Sequence, residues 1–269
     1  MQASVRAAVA SCGILYRMIL FLSDFGPGSP YVGQVRAVLA ARAPGVPAVD
    51  LMHDLPAFRP AAAGCLLAAL MQSLILPASR AEDSILGAVV LAVVDPGVGG
   101  DRLPIIVEAG PHRYVGPDNG LFGAVLGRVA HAQAWRIDWR PDRLSASFHG
   151  RDLFAPVAAM LTQGQPVPST AVALTELRRP DGPDPLAEVV YVDRYGNAMT
   201  GLDAAALLQT AVLETGGHQF RRAGTFGDDP DGAGFWYANS LGLAELAVNR
   251  ASAADRFGLT VGTPVAVVS

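Results

Sequence analysis

Apolar residues fall along this chain in short unbroken runs, separated by polar turn residues and by longer alanine- and leucine-rich stretches. The run "MILFLSD" (18–24) predicts a first strand that stops at Asp24. The following "SPYVGQVRAVLAARAP" predicts a helix with Ser29 as N-cap and Pro30 at its first position. "PAVDLMHDLP" predicts a second short strand and turn, and "RPAAAGCLLAALMQSLIL" a second helix. Strand-type runs return at 88–95, in "LPIIVEA", in "RYVGPDNG" and in "AQAWRID", with a short helix over 120–127 and a longer one in "GRDLFAPVAAMLTQG". This alternation predicts an α/β domain with a largely parallel sheet over residues 18–165.

The pattern then changes. "QPVPST" and "RRPDGPDP" crowd proline, glycine and charge, so 166–185 reads as a linker. Beyond it, "AEVVYVDRYGNAMTGL", "AVLETGGHQFRRAGTF", "GFWYANSLGLAELAVN" and "TPVAVVS" are strand-length runs with turn residues between them and little helix. They predict a smaller β-barrel domain over 186–269. Residues 1–17 precede the first core strand and read as a weak leader or as a start assigned upstream of Met18.

Composition narrows the partners. The 269 residues carry a formal net charge of −4 with no basic block, so the field that non-specific nucleic-acid binding requires is missing. The apolar run of the second helix is interrupted by Gln72 and Ser73 and is too short to span a bilayer, so no membrane association is expected. Two cysteines, Cys12 and Cys65, make neither a disulfide framework nor a zinc site, which fits a reducing cytoplasm. His53, His112, His131, His149 and His218 lie far apart with no H-x-x-x-H pair, so no metal and no cofactor is expected. Phosphate-loop and nucleophile-elbow motifs are absent as well.

Six loops share one design: "SDFGPGS", "VDPGVGGDR", "GPDNG", "FHGRD", "VDRYGN" and "ANSLG" each follow an apolar run and combine glycine with a polar or charged residue. In an open parallel sheet such loops converge beyond the strands' carboxyl ends, where ligands bind. Asp95, Arg102 and His149 stand out among them. A carboxylate and an imidazole can orient a water, and an arginine can fix the carboxylate's direction. The same residues also suit a plain ion pair and a strand-capping histidine, and residue type alone does not separate the two readings.

Taken together, "LSDFG", "YVGQVRAVL", "VDLMHDLP", "VVDPGVGGDR", "PDNGLF", "FHGRDLFAPVAA", "VDRYGNAMT" and "NSLGLAELAVN" resemble the S-adenosyl-L-methionine (SAM) hydroxide adenosyltransferase family, which also contains the fluorinase and chlorinase enzymes. The resemblance covers residues 18–269. It implies an α/β domain joined to a β-barrel domain, and trimers that bind SAM between one subunit's first domain and its neighbour's second. It also implies hydrolysis of SAM to adenosine and L-methionine, with Asp95, Arg102 and His149 directing water at the ribose C5′. Asp24 then falls on the ribose hydroxyls, Asn197 on the adenine edge, Phe226 on the adenine face, and Asp193 and Ser240 on the methionine amino and carboxylate groups. Ser29 stands where the family commonly has an acid, Arg36 where lysine is usual, and Gly201 where asparagine is expected. Two other activities suit the same scaffold: a halide-dependent adenosyltransferase, and a SAM or adenosine sensor without catalysis. Fluorinase-like members carry tyrosine and a halide-binding serine at the positions of His149 and Gly150.

Overall fold

The computed structural model describes residues 8–9, 16, 18–74, 87–179, 185–229 and 232–268. Contacts between Cα atoms divide the chain into two units: Met1–Pro60 with Asp83–Pro180, and Ala61–Glu82 with Asp181–Ser269.

The first unit is built on one eight-stranded sheet. Its strands are β1 (Ala8–Val9), β2 (Met18–Ser23), β3 (Ala48–Met52), β4 (Ala88–Val93), β5 (Pro104–Ala109), β6 (His112–Pro117), β7 (Ala132–Ile137) and β8 (Val167–Val172), in the spatial order β1-β8-β7-β5-β6-β4-β2-β3. β3, β2, β4 and β6 run parallel to one another, and the sheet continues antiparallel through β5, β7 and β8. Every residue of β4 is buried, which suits its unbroken Ala/Val/Leu composition: a central parallel strand is covered on both faces. Helix α1 (Pro30–Arg42) starts where expected, with the Ser29 hydroxyl accepting from the Tyr31 amide. Helix α3 is the short Gly123–Leu126. The helix expected over 150–164 begins as a π-turn, Gly150–Phe154, and continues as α4 (Ala155–Thr162). Val35 and Leu39 of α1 and Val157, Ala158 and Leu161 of α4 join Ile19, Phe21, Val89 and Leu91 in one core.

Two boundaries differ from the sequence reading. The stretch expected to be a linker from 166 opens with β8, which pairs with β7, because Ser169 and Val167 can be buried despite the prolines around them. The described part of residues 1–17 also belongs to this unit. Ala8–Val9 pairs with β8, and Tyr16 is buried beneath the Arg113 guanidinium, 5.0 Å from its ring centre. The rest of residues 1–17 lies outside the described residues.

In the second unit, α2 (Pro60–Leu74) is apolar almost all round, with Ala62, Ala63, Leu66, Leu67, Ala69 and Met71 buried. Grouping α2 with the C-terminal strands departs from the sequence reading, which placed it inside the first domain. The remaining strands are β9 (Leu186–Val192), β10 (Ala198–Asp203), β11 (Val212–Thr215), β12 (His218–Arg222), β13 (Phe235–Ala238), β14 (Leu243–Ala247) and β15 (Ala266–Val267), with helix α5 (Ala253–Phe257) before the last. Their order, β15-β11-β12-β13-β14-β10-β9, nearly closes on itself. The Val189 and Val265 amides bond to the Thr263 and Ala187 carbonyls, so β9 meets the segment leading into β15. That closure removes the sheet's open edges, and Trp236, Phe220, Leu213 and Leu246 fill the barrel.

Candidate functional site

β2 and β4 lie side by side in parallel, with Ser23 opposite Val93. The two strands therefore release Asp24 and Asp95 at the same carboxyl edge of the sheet, where ligands of open α/β sheets bind. Beyond Asp95 the chain turns back: Gly99 adopts φ 78°, and a Cβ there would lie 2.5 Å from the Ala146 carbonyl oxygen. Only glycine fits this close approach.

The turn returns Arg102 to Asp95 in a two-pronged ion pair. Nε donates to Oδ1 at 2.9 Å and Nη2 to Oδ2 at 2.5 Å. Both side chains are nearly sealed from water, at 3% and 6% exposure. The π-turn Gly150–Phe154 completes the cluster from the other side. Phe154 lies under the guanidinium, 5.3 Å from ring centre to Cζ, and His149 precedes the turn with Nδ1 2.7 Å from Arg102 Nη2. A guanidinium can only donate, so Nδ1 accepts and the imidazole proton sits on Nε2. Burial and the Arg102 charge both hold His149 below the ordinary imidazole value, with Asp95 opposing them. At neutral pH His149 is an uncharged donor through Nε2–H.

Asp24 is half-buried, and its Oδ2 accepts the Phe58 amide at 3.3 Å. Burial pushes its carboxyl up, the Phe58 bond opposes this, and the nearby Asp95 charge adds to it. Asn119, in the "GPDNG" loop, donates from Nδ2 to the Val94 carbonyl at 2.8 Å and so braces the end of β4.

The other four expected residues belong to the second unit. Asp193 organises the turn between β9 and β10. Its Oδ1 accepts the Tyr195 and Asn197 amides at 2.8 and 2.9 Å, and its Oδ2 accepts Asn197 Nδ2 at 3.0 Å. Asn197 is thereby fixed with its side-chain oxygen free of that bond. Asn197 and Phe226 share a pocket of about 520 Å³ with Tyr195, Val248, Arg250, Ala251 and Ser252. The Phe226 ring stands edge-on to Phe235 and Tyr237, both 5.3 Å away between centres. Sequence reasoning missed the segment 248–252. Its best signal is the "NRAS" step, where Arg250 takes φ 57°, unusual for a residue with a side chain.

Ser240 is exposed in the turn after β13 and is not part of that pocket lining. Asn239 shapes its turn by accepting the Leu241 and Leu243 amides and donating to buried Glu245 at 2.6 Å. Burial pushes the Glu245 carboxyl up, and the Asp193 charge contributes. Among the described residues no group of three or more His, Cys, Asp or Glu side chains is arranged to hold a metal, and no helix is long and apolar enough to cross a membrane.

A parallel-cored α/β unit with an Asp–Arg–His cluster at its strand ends, followed by a β-barrel unit with an aromatic-lined pocket, places the chain among two-domain α/β-plus-barrel proteins. Residues 19–171 match the SAM hydroxide adenosyltransferase N-terminal domain and residues 187–266 its C-terminal domain. The chain belongs to that family. It is 42% identical over 271 residues to a Thermus thermophilus protein named (R)-S-adenosyl-L-methionine hydrolase, spanning 93% of this chain and 98% of the relative. A Salinispora arenicola protein of the same name is 36% identical across 93% of this chain and 97% of its own. Among solved structures, an uncharacterized conserved protein from Thermotoga maritima superposes with a TM-score of 0.78 at 29% identity, covering 94% of this chain and all of the other. A conserved hypothetical protein from Thermus thermophilus gives 0.73 at 39% identity, with 94% and 100% coverage.

Proposed function

We propose that the protein hydrolyses S-adenosyl-L-methionine to adenosine and L-methionine. The observation that carries this reading is the nearly sealed Asp95–Arg102 pair with the partly exposed His149 bonded to it at the carboxyl edge of the sheet, in a chain whose relatives bear the hydrolase name. A water oxygen attacks the ribose C5′ as the C5′–sulfur bond breaks. The bonding pair leaves with sulfur, converting the sulfonium to the neutral thioether of methionine. The oxygen's surplus proton passes to Asp95, whose oxygens keep lone pairs beyond those used by Arg102. His149 Nε2–H donates to the same oxygen and sets its direction, leaving another lone pair for C5′. A sulfonium is a good leaving group, so alignment and a partly dry nucleophile supply most of what the reaction needs.

Asp24, with two oxygens, suits the two ribose hydroxyls. Asn197 Oδ1 suits the adenine amino group, and the Phe226 face supports the ring. Asp193 and Ser240 take the methionine amino and carboxylate groups. The Asp193 carboxylate is engaged in its own turn, so its contact uses the lone pairs that remain. Trimers with each site shared between one subunit's first unit and its neighbour's second complete the proposal, with the cytoplasm as the compartment.

Incubating the pure protein with each sulfonium epimer of SAM separately, and following adenosine and methionine by mass spectrometry, tests the reading. Adenosine from at least one epimer is expected, and its absence from both rejects the hydrolase. Size-exclusion chromatography with light scattering tests the trimer: full activity from a monomer would exclude the shared site.

A further inference from the structure

A polar chain that the proposed chemistry does not use runs behind Asp24. Ser23 is fully buried at 0% exposure, and its Oγ lies 2.8 Å from His53 Nδ1. His53 is buried as well; its Nε2 stands 3.3 Å from Asp50 Oδ1, and Asp50 lies 3.4 Å from Arg36. Serine, histidine and aspartate in sequence suggest a nucleophile, but burial excludes it: substrate cannot reach a hydroxyl with no exposed surface. The chain instead stitches two loops together. Nε2 faces Asp50 without a hydrogen bond to it, so the bond that holds the ring is the one between Nδ1 and the Ser23 hydroxyl. The same Oγ receives the Phe25 amide at 3.4 Å.

The backbone closes the arrangement. The Gly26 amide donates to the His53 carbonyl at 2.7 Å, and the Leu55 amide to the Ser23 carbonyl at 3.2 Å. The His53 ring packs edge-on against Phe21, 4.5 Å between centres, which fixes its plane. Asp24 is therefore held between Ser23 and Gly26, one bonded to the His53 ring and the other to its carbonyl. Phe58, which donates to Asp24 Oδ2, comes from the loop that His53 opens and adopts φ 60°, a costly conformation for a residue with a side chain.

We propose that His53 is a positioning residue that aims the Asp24 carboxylate at the ribose hydroxyls. It acts through Ser23 and Gly26 and does not touch substrate. This inference rests on the reading of Asp24 as the ribose ligand.

The test compares steady-state kinetics on SAM and on its 2′-deoxyribose analogue for the full-length protein and for Asp24→Asn, His53→Ala, His53→Asn and Ser23→Ala. Misdirecting one carboxylate bond predicts a KM for SAM raised about tenfold in His53→Ala with kcat changed little. The preference for SAM over the deoxy analogue shrinks in the same variant. His53→Asn places an amide where Nδ1 was and restores much of that preference, a rescue that loss of general stability would not give. Ser23→Ala removes the link to the ring alone and shifts KM the same way, so the test survives if His53→Ala does not fold. If Asp24→Asn leaves the preference for the ribose hydroxyl intact, the ribose reading itself is wrong. If Asp24→Asn removes the preference while His53→Ala and Ser23→Ala keep it, the ribose reading stands and this inference is overturned.

Discussion

Removing Arg102 leaves a carboxylate with little exposed surface and no cationic partner. The Asp95 side chain is 6% exposed and receives two bonds from the guanidinium, which also bonds to His149 and lies over Phe154. Taking away one partner of a buried pair costs about 3–5 kcal/mol, mostly through the charge left unpaired. Arg102→Ala is therefore expected to lose about that much stability, and Asp95→Ala a comparable amount by stranding the guanidinium. The double variant strands neither charge, so its loss is expected to be no larger than one single loss, a coupling of at least about 3 kcal/mol. Urea titrations of the four proteins, followed by tryptophan fluorescence, give the cycle. Losses that simply add would mean the pair is energetically loose, and the account of Asp95 as a rigidly aimed acceptor would fail. Arg102→Lys adds a kinetic arm. Lysine keeps the charge but not the planar fork, so kcat is expected to fall about 10²-fold, and a wild-type rate would refute the need for the fork.

Much of this site is legible in the sequence, because its residues sit where strands stop. A fully apolar run must end before a charge can be solvated or paired, so Asp24 and Asp95 mark the ends of β2 and β4 directly. Gly99 likewise records a turn that no other residue can make. The role of His53 is not legible, because Ser23 lies on another strand and only the pairing of β2 with β3 brings it beside the ring. Arg250 is hidden for a related reason: its unusual φ is a property of the backbone, and nothing about arginine announces it. β8 is concealed by Pro166 and Pro168, which read as a linker although Pro168 stands near the start of the strand, where a missing amide donor is tolerated. The grouping of α2 is equally unreadable, since a helix apolar on nearly every side carries no stripe that points to one partner surface.

Three further expectations follow from particular groups. His149 must be neutral to accept from Arg102 and its value is lowered, so kcat/KM should hold steady from neutral pH to below the ordinary 6.5 and then fall with acid. A profile that falls on the alkaline side of 6.5 would mean that the cationic form works. His112 is 2% exposed, accepts the Ala88 amide, and is pushed by burial down to about 4. The unfolded chain takes up this proton first, so stability should decline as pH falls from 6.5 toward 4, by about 3 kcal/mol in all; denaturation midpoints with the same slope in His112→Phe would refute it. The last expectation separates hydrolysis from halide transfer. A Cβ at Gly150 would lie 3.2 Å from Phe25 Cζ and 3.4 Å from Phe148 Cε2, so the space a halide-binding serine needs is taken by two rings that pack edge to face, 5.7 Å between centres. Gly150→Ser therefore should lower hydrolysis without yielding 5′-halo-5′-deoxyadenosine in excess fluoride or chloride. A halogenated nucleoside as the main product by mass spectrometry would show that the rings yield, and that a single side chain decides between water and halide on this scaffold.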